Sequence, residues 1–275
     1  MKKYVLSIIT INLNNKDGLE KTIQSVINQT YKDFEYIIID GGSTDGSSDL
    51  IKNYEKEINY WISEKDDGIY EAMNKGIKHA NGEYCLFLNS GDYLNDMNSL
   101  QKIEQYFYEG FDIIFGNSNF IDPSSQKIYE TSYPEHPDFR YFFKRSLSHP
   151  ATIIKKKLFE DIGFFDESYK IISDWIFFYK AFIVHNISYL YIRDIISTFF
   201  YGGLSTTADG LALISKEQYR FFCTYYSQPV ADYFNYSFEA INEYEKIKNN
   251  IHLPYYKSMF KLLKGLFKKH FFKNT

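Results

Sequence analysis

Phe34-Glu35-Tyr36-Ile37-Ile38-Ile39-Asp40-Gly41-Gly42-Ser43-Thr44-Asp45 decides how this chain folds. An apolar run of strand length stops at a carboxylate and two glycines. A strand end of this kind fixes polar groups in space while the loop beyond it keeps them accessible to a ligand. Upstream, Val5-Leu6-Ser7-Ile8-Ile9-Thr10-Ile11 is a continuous apolar run of the sort buried on both faces of a parallel sheet. Between the two, Asp17-Gly18-Leu19-Glu20 has capping-box spacing, and Leu19, Ile23, Val26 and Ile27 recur at helical intervals. Downstream, residues 47 to 54 read as a short helix, Tyr60 to Ile62 as a third strand, Ile69 to His79 as a helix and Tyr84 to Leu88 as a fourth strand. Strands and helices alternating at this pitch predict a three-layer α/β architecture with a parallel sheet.

After residue 92 the pattern loosens. A helix is expected from about Met97 to Tyr108 and a strand at Ile113 to Phe115, then a polar, Pro-bearing stretch to Pro137 with a strand near Ile128. Ala151 to Ile154 reads as a strand, followed by a short helix, a turn at Gly163 and a helix from about Ser173; Ile187 to Tyr191 and Ile195 to Phe200 read as two more strands. Residues 1–205 are taken as one domain and 206–275 as a helical extension. In that extension Tyr255, Tyr256, Met259, Phe260, Leu263, Leu266, Phe267 and Phe271 fall on one side of a helix, with Lys257, Lys261, Lys264, Lys268 and Lys269 mostly on the others. Such a composition suits a helix lying in the interface of an anionic membrane, through residues 254–275.

The 275 residues carry a formal net charge of -4, which would not draw the chain to nucleic acid. The two cysteines, Cys85 and Cys223, have no metal or redox spacing and fit ordinary thiols in a reducing compartment. The start, Met1-Lys2-Lys3-Tyr4, runs straight into a strand with too few apolar residues for a signal peptide, so a cytoplasmic location is expected. Aromatic residues make up 19% of the chain and crowd its second half, a surplus suited to cores and to surfaces that meet sugars or membranes.

Four polar clusters carry the chemistry. Asp40 can accept a hydrogen bond from a base imide or a ribose hydroxyl, while the glycines after it let backbone approach a flat ligand. Glu64-Lys65-Asp66-Asp67-Gly68-Ile69-Tyr70 puts Asp67 just before a helix whose face carries Tyr70 and Asn74. Asn89-Ser90-Gly91-Asp92 follows the fourth strand, and Asp92 offers a hard oxygen to Mg²⁺ or Mn²⁺, which together with waters can hold a diphosphate. The fourth cluster, Ser173-Asp174-Trp175, opens a helix.

In order and spacing these clusters resemble the family 2 glycosyltransferases, inverting enzymes with the GT-A fold, and especially the bacterial members that build capsule, exopolysaccharide and lipopolysaccharide. The resemblance covers about residues 4 to 205 and extends to Ser7–Asn15, Asn28-Gln29-Thr30-Tyr31, His149-Pro150-Ala151-Thr152, Gly163-Phe164-Phe165-Asp166-Glu167 and Gly202-Gly203-Leu204-Ser205. It implies a GT-A fold, a Rossmann-like and mainly parallel sheet flanked by helices, with a helical C-terminal extension. It implies a nucleotide-sugar donor and a glycan acceptor, lipid-linked in view of the basic terminus. Thr10 and Asn12 would line the nucleotide, with Asp40, Gly41 and Asp67 around uracil and ribose and Ser43, Tyr70 and Asn74 in the same site. Asn89, Ser90 and Gly91 occupy the place of the metal-binding Asp-x-Asp motif, with Asp92 as the remaining carboxylate. Asp174 falls where relatives carry the general base, His149 on the floor of the sugar pocket, and Gly203 in a loop able to close over the diphosphate. Two further readings compete with it. A catalytically silent sugar-nucleotide or glycan-binding subunit would have no need of both Asp92 and Asp174, and a sugar nucleotidyltransferase would need a glycine-rich basic loop near the start that this chain lacks.

Overall fold

The computed structural model describes residues 4–122, 125–200, 203, 207–234 and 236–237. Its first half alternates β1 (Leu6–Asn12), α1 (Lys16–Ile27), β2 (Phe34–Asp40), α2 (Ser47–Asn53), β3 (Tyr60–Ser63), α3 (Ile69–His79) and β4 (Tyr84–Phe87). All seven residues of β1 are buried, as its apolar run requires. Leu6 and Ile8 pack with Leu19, Ile23 and Val26 of α1 on one face. On the other, Ile9 meets α3 so closely that a Cβ on Gly76 would stand 2.4 Å from its Cγ2. Each such Ile or Leu contributes about 1.5–3 kcal/mol relative to an exposed side chain.

The second half comprises β5 (Tyr93–Leu94), α4 (Ser99–Ile103) continued by a 3₁₀ turn, β6 (Ile113–Ile121), β7 (Ile128–Glu130), α5 (Phe139–Lys144), β8 (Thr152–Lys155), α6 (Lys157–Asp161), α7 (Ser173–Tyr179) continued by a π-turn, β9 (Tyr189–Phe200) and α8 (Ala208–Tyr225). The strands form one sheet in the order β3-β2-β1-β4-β8-β6-β9-β5, with β7 beside β6. The parallel part expected from the sequence is β3-β2-β1-β4. Beyond it the sheet is mixed, because β8 runs antiparallel to both β4 and β6 while β9 runs parallel to β6.

Two local expectations are corrected and one strand is new. Helix α1 is capped by Asn15, whose side chain accepts from Gly18 N, so Asp17 sits inside the first turn rather than in a capping box. The expected strands Ile187–Tyr191 and Ile195–Phe200 are one strand, β9. Exposed Arg193 and Asp194 interrupt its apolar pattern where its pairing with β6 shifts register, between Phe115 and Ser118. The two-residue strand β5 carried no periodic signal at all.

By compactness the chain divides into units at residues 1–221 and 222–275, so most of α8 belongs with the first unit rather than with an extension beginning at 206. In the second unit, residues 228–234 are helical and Phe222 packs on Phe234 with ring centroids 4.5 Å apart. The predicted amphipathic segment 254–275 lies outside the described residues. Among the described residues no helix is long and apolar enough to cross a membrane.

Candidate active site

The strand register builds the first half of the site. Asn12 of β1 pairs with Asp40 of β2, and Asp40 with Ser63 of β3, so three polar side chains stand on successive rungs at the carboxyl edge of the parallel strands. Asp40 is fully buried. Its Oδ1 accepts from Asn12 Nδ2 at 2.7 Å and Ser43 Oγ at 2.6 Å, and its Oδ2 from Ser43 N at 3.0 Å and Ser63 Oγ at 2.5 Å. Four donors offset the cost of burying the charge. Asn12 Oδ1, by contrast, is buried with no partner. Gly41 follows, and a Cβ there would lie 2.6 Å from Asp66 Oδ2, so only glycine lets the Asp66 carboxylate close over this crevice. Gly42 adopts φ +78°, a left-handed conformation that disfavours a side chain. Burial raises the pKa of Asp66, an effect to which the charge of Asp40 adds and which the Gly68 N–H and Lys75 oppose.

The second half lies where the strand order reverses, between β1 and β4, the position at which open α/β sheets take ligands. Asn15 Nδ2 donates to Ser90 O at 2.9 Å, joining the loop after β1 to the turn after β4. Gly91 has φ +104° and gives its N–H to Thr22 Oγ1 at 2.9 Å, holding Asn89–Asp92 against α1. Beside them opens a cleft of about 980 Å³. Tyr70, Asn89, Ser90, Gly91, Asp92, His149, Asp174 and Gly203 all line it, although they come from five separate parts of the chain.

A chain of polar contacts crosses the cleft floor. Tyr70 Oη donates to Asp174 Oδ1 at 2.8 Å. Asp174 Oδ2 lies 3.8 Å from His149 Nδ1, and His149 Nε2 lies 3.7 Å from Asp92 Oδ2 and 3.1 Å from Asn89 Nδ2. Burial, and next the Asp174 charge, hold the Tyr70 pKa well above its ordinary value, so Tyr70 stays a proton donor to that carboxylate. Burial pulls the His149 pKa down, but Asp92 and then Asp174 outweigh it and the net shift is upward. Asn89 Oδ1 is buried with no partner.

Not every expected residue reaches the site. Thr10 is fully buried with Oγ1 3.0 Å from Tyr36 Oη, so it supports β1 and presents no surface. Asn74 spends its whole amide on the 163–167 turn, donating to Phe165 O and Glu167 Oε1 at 2.8 Å and accepting from Phe165 N at 3.1 Å. Asp67 is exposed; its neighbour Asp66 is the carboxylate at the crevice. Tandem aspartates give no residue-level signal of which one faces inward, and only the phase set by Ser63 on β3 decides it. Gly203 lies at the cleft and is exposed, while Gly202, Leu204 and Ser205 are outside the described residues. Cys85 is fully buried with its thiol pushed up to about 12 by burial, as befits a core residue.

The sequence profile of Glycosyl transferase family 2 matches residues 7–174, more than half of the chain, and spans all four clusters as far as the last carboxylate. The chain belongs to glycosyl transferase family 2. This glycosyltransferase is 29% identical over 209 residues to a PGL/p-HBAD biosynthesis glycosyltransferase of Mycobacterium bovis (strain BCG / Pasteur 1173P2), covering 74% of this chain and 80% of the relative. It is 31% identical over 192 residues to an uncharacterised glycosyltransferase of Mycobacterium tuberculosis (strain ATCC 25618 / H37Rv), covering 65% and 69%. Among solved structures it is similar to S. aureus TarS 1–349 in complex with UDP-GlcNAc, with TM-score 0.62, 20% identity, and 79% of this chain and 66% of that chain covered. It is also similar to the mannosyltransferase PcManGT of Pyrobaculum calidifontis in complex with GDP-Man and Mn²⁺, with TM-score 0.60, 14% identity, and 80% and 65% covered. Both matches span just under two thirds of the solved chains, and at these identities they establish the shared GT-A architecture of the glycosyltransferase.

Proposed function

We propose that this glycosyltransferase moves a sugar from a UDP-sugar to a hydroxyl of a glycan acceptor with inversion, using Asp174 as general base. The observation that carries the reading is the placement of Asp174 on the wall of the cleft, with one oxygen engaged by Tyr70 and the other open toward His149. The Tyr70 hydrogen bond fixes the orientation of the carboxylate. Asp174 then takes the proton of an acceptor hydroxyl as that oxygen attacks the anomeric carbon opposite the leaving diphosphate, so an α-linked donor gives a β-linked product. The uracil and ribose are assigned to the crevice of Asn12, Gly41, Ser43 and Asp66, which the fully buried Asp40 braces from beneath and in which Asn12 Oδ1 has no protein partner. UDP in place of another nucleotide is supported by the UDP-GlcNAc complex of TarS, set against the GDP-Man complex of the more distant PcManGT.

A divalent cation fits this site in one respect. Asp92 and the orphaned Asn89 Oδ1 are hard oxygen donors at the cleft, suited to Mg²⁺ or Mn²⁺ that takes its remaining ligands from water and a diphosphate. Among the described residues no group of three or more His, Cys, Asp or Glu is arranged to hold a metal by itself, so the ion would arrive with the nucleotide. When bound it would neutralise the departing diphosphate.

The acceptor is assigned as a lipid-linked glycan of bacterial surface-polysaccharide synthesis, met at the inner face of the cell membrane. Support comes from the basic, aromatic residues 254–275 and from a cleft wall that sets Ile69, Met73, Ile171 and Ile172 beside Lys144 and Arg145. Full-length protein should sediment with phosphatidylglycerol vesicles and be released as salt rises, since the lysine contribution is screened. Salt-independent binding, or none, would remove the membrane from this reading.

The function is tested by nucleoside diphosphate release from a panel of UDP-sugars. Release with at least one of them is expected. UDP binding by thermal shift without release from any donor would leave a binding subunit. Within the crevice, Asp66→Ala should weaken UDP binding by calorimetry about 10-fold or more, the loss expected for a hydrogen bond to a charged group. Asp67→Ala should change it less than about two-fold. The reverse order would assign the crevice to Asp67.

A further inference from the structure

Helix α8 lies beyond the matched segment 7–174, yet it holds the backbone that leads to Asp174. Glu217 of α8 is a buried carboxylate, 5% exposed. It accepts from Lys170 N at 2.8 Å through Oε1 and from Ile171 N at 3.1 Å through Oε2. One turn along, the Arg220 guanidinium lies 3.8 Å over the Tyr169 ring, and its Nη2 donates to Ser168 O at 2.8 Å. Phe221 then packs on Trp175, ring centroids 5.5 Å apart, immediately after the base. Four consecutive residues, Ser168 to Ile171, are thus gripped upstream of Asp174, and the residue following it is gripped downstream.

The grip acts on the turn that leads into α7, while Tyr70 Oη on Asp174 and Trp175 Nε1 on Phe142 O, at 2.6 Å, hold the helix itself. Helix α7 has only seven residues, and no side chain caps its N-terminus. Tyr169 N to Asp166 O at 3.2 Å and Ser168 N to Asp166 Oδ1 at 2.9 Å close the turn before Glu217's two bonds, and the helical ladder resumes only at Ile176 N to Ile172 O. Ile171, Ile172, Asp174 and Trp175 all face the cleft together with Ile214 and Gln218 of α8. A carboxylate is costly to bury unless it is paired or well hydrogen-bonded, and here its two oxygens meet two backbone donors of the base-bearing segment.

We infer that Glu217 is a positioning residue for Asp174, so that the first turn of α7 keeps the base at a fixed distance from the attacking hydroxyl. The inference rests on the assignment of Asp174 as base. A shift of about 1 Å in a reacting group can lower the rate about 10²-fold without touching binding. The cost therefore falls on turnover and not on the nucleotide crevice, which is built from residues 12–66.

The test uses the full chain and UDP release from the best UDP-sugar of the panel, with UDP affinity and thermal midpoint measured on the same samples. Glu217→Ala should lower kcat about 10- to 100-fold while donor KM and UDP affinity stay within about two-fold. Glu217→Gln keeps the length and one oxygen acceptor and should recover part of the loss, and it answers the question if the alanine variant does not fold. Unchanged kcat in a folded Glu217 variant, or an equal fall of kcat and UDP affinity, overturns the positioning role. Asp174→Asn serves as the separate control. Its full activity would overturn the base assignment, whereas an inactive Asp174→Asn beside a fully active Glu217→Ala would overturn this inference alone.

Discussion

Asp174→Asn should lose about 10²–10⁴-fold in transfer while binding UDP as tightly as the parent protein. Asparagine matches the shape of the carboxylate, and its oxygen can still accept the Tyr70 hydroxyl that now reaches Asp174 at 2.8 Å. What it lacks is a basic oxygen able to take the acceptor proton. Because Asp174 lies outside the crevice formed by Asn12, Gly41, Ser43 and Asp66, the loss should appear in kcat and not in nucleotide affinity measured by calorimetry. Turnover at the parental rate by a folded variant would remove Asp174 from the mechanism.

Asp92→Ala is expected to have the next largest effect, through the diphosphate. In the parental protein, UDP should bind more tightly with Mg²⁺ or Mn²⁺ than with a chelator. In the variant the two affinities should converge, and transfer should fall by about the several kcal/mol that a metal contributes to a developing charge. The change also removes the nearest carboxylate to His149 Nε2, 3.7 Å away, so the upward shift of that imidazole should shrink. Parental UDP affinity that is indifferent to chelator would separate Asp92 from any metal role.

The parallel part of the fold was readable because each of its strands is a nearly unbroken apolar run and each helix an amphipathic one. The helical spacing over Ile69–His79 coincides with α3 at both ends, and the buried face of that helix includes Tyr70, Met73, Asn74 and Ile77. Where the sheet becomes mixed, that signal weakens for a physical reason. Strand β9 crosses a register shift, and at that point the charged pair Arg193 and Asp194 is exposed, which splits one strand into two on paper. The candidate site divides in the same way. Asp40, Asp92 and Asp174 stand at or beside the ends of elements, where a sequence pattern can mark them, whereas their side-chain contacts depend on packing between distant segments. No local pattern distinguishes Asp66 from Asp67, marks Asn74 as a brace for the 163–167 turn, or ties Glu217 to Lys170 and Ile171.

The rungs Asn12, Asp40 and Ser63 have a consequence for the order in which the molecule is made. The crevice proposed for the nucleotide draws on residues 12 to 66 alone, in strands that are neighbours in both sequence and space. The cleft floor instead joins Tyr70 to Asp174 across 104 residues and Asn89 to His149 across 60. Loop closure makes such distant contacts slower to form than local ones, and synthesis delivers the chain from its N-terminus. A growing polypeptide therefore carries every residue of the Asn12, Asp40 and Ser63 ladder long before Asp174 is made, so the two halves of the site are completed at different stages of synthesis.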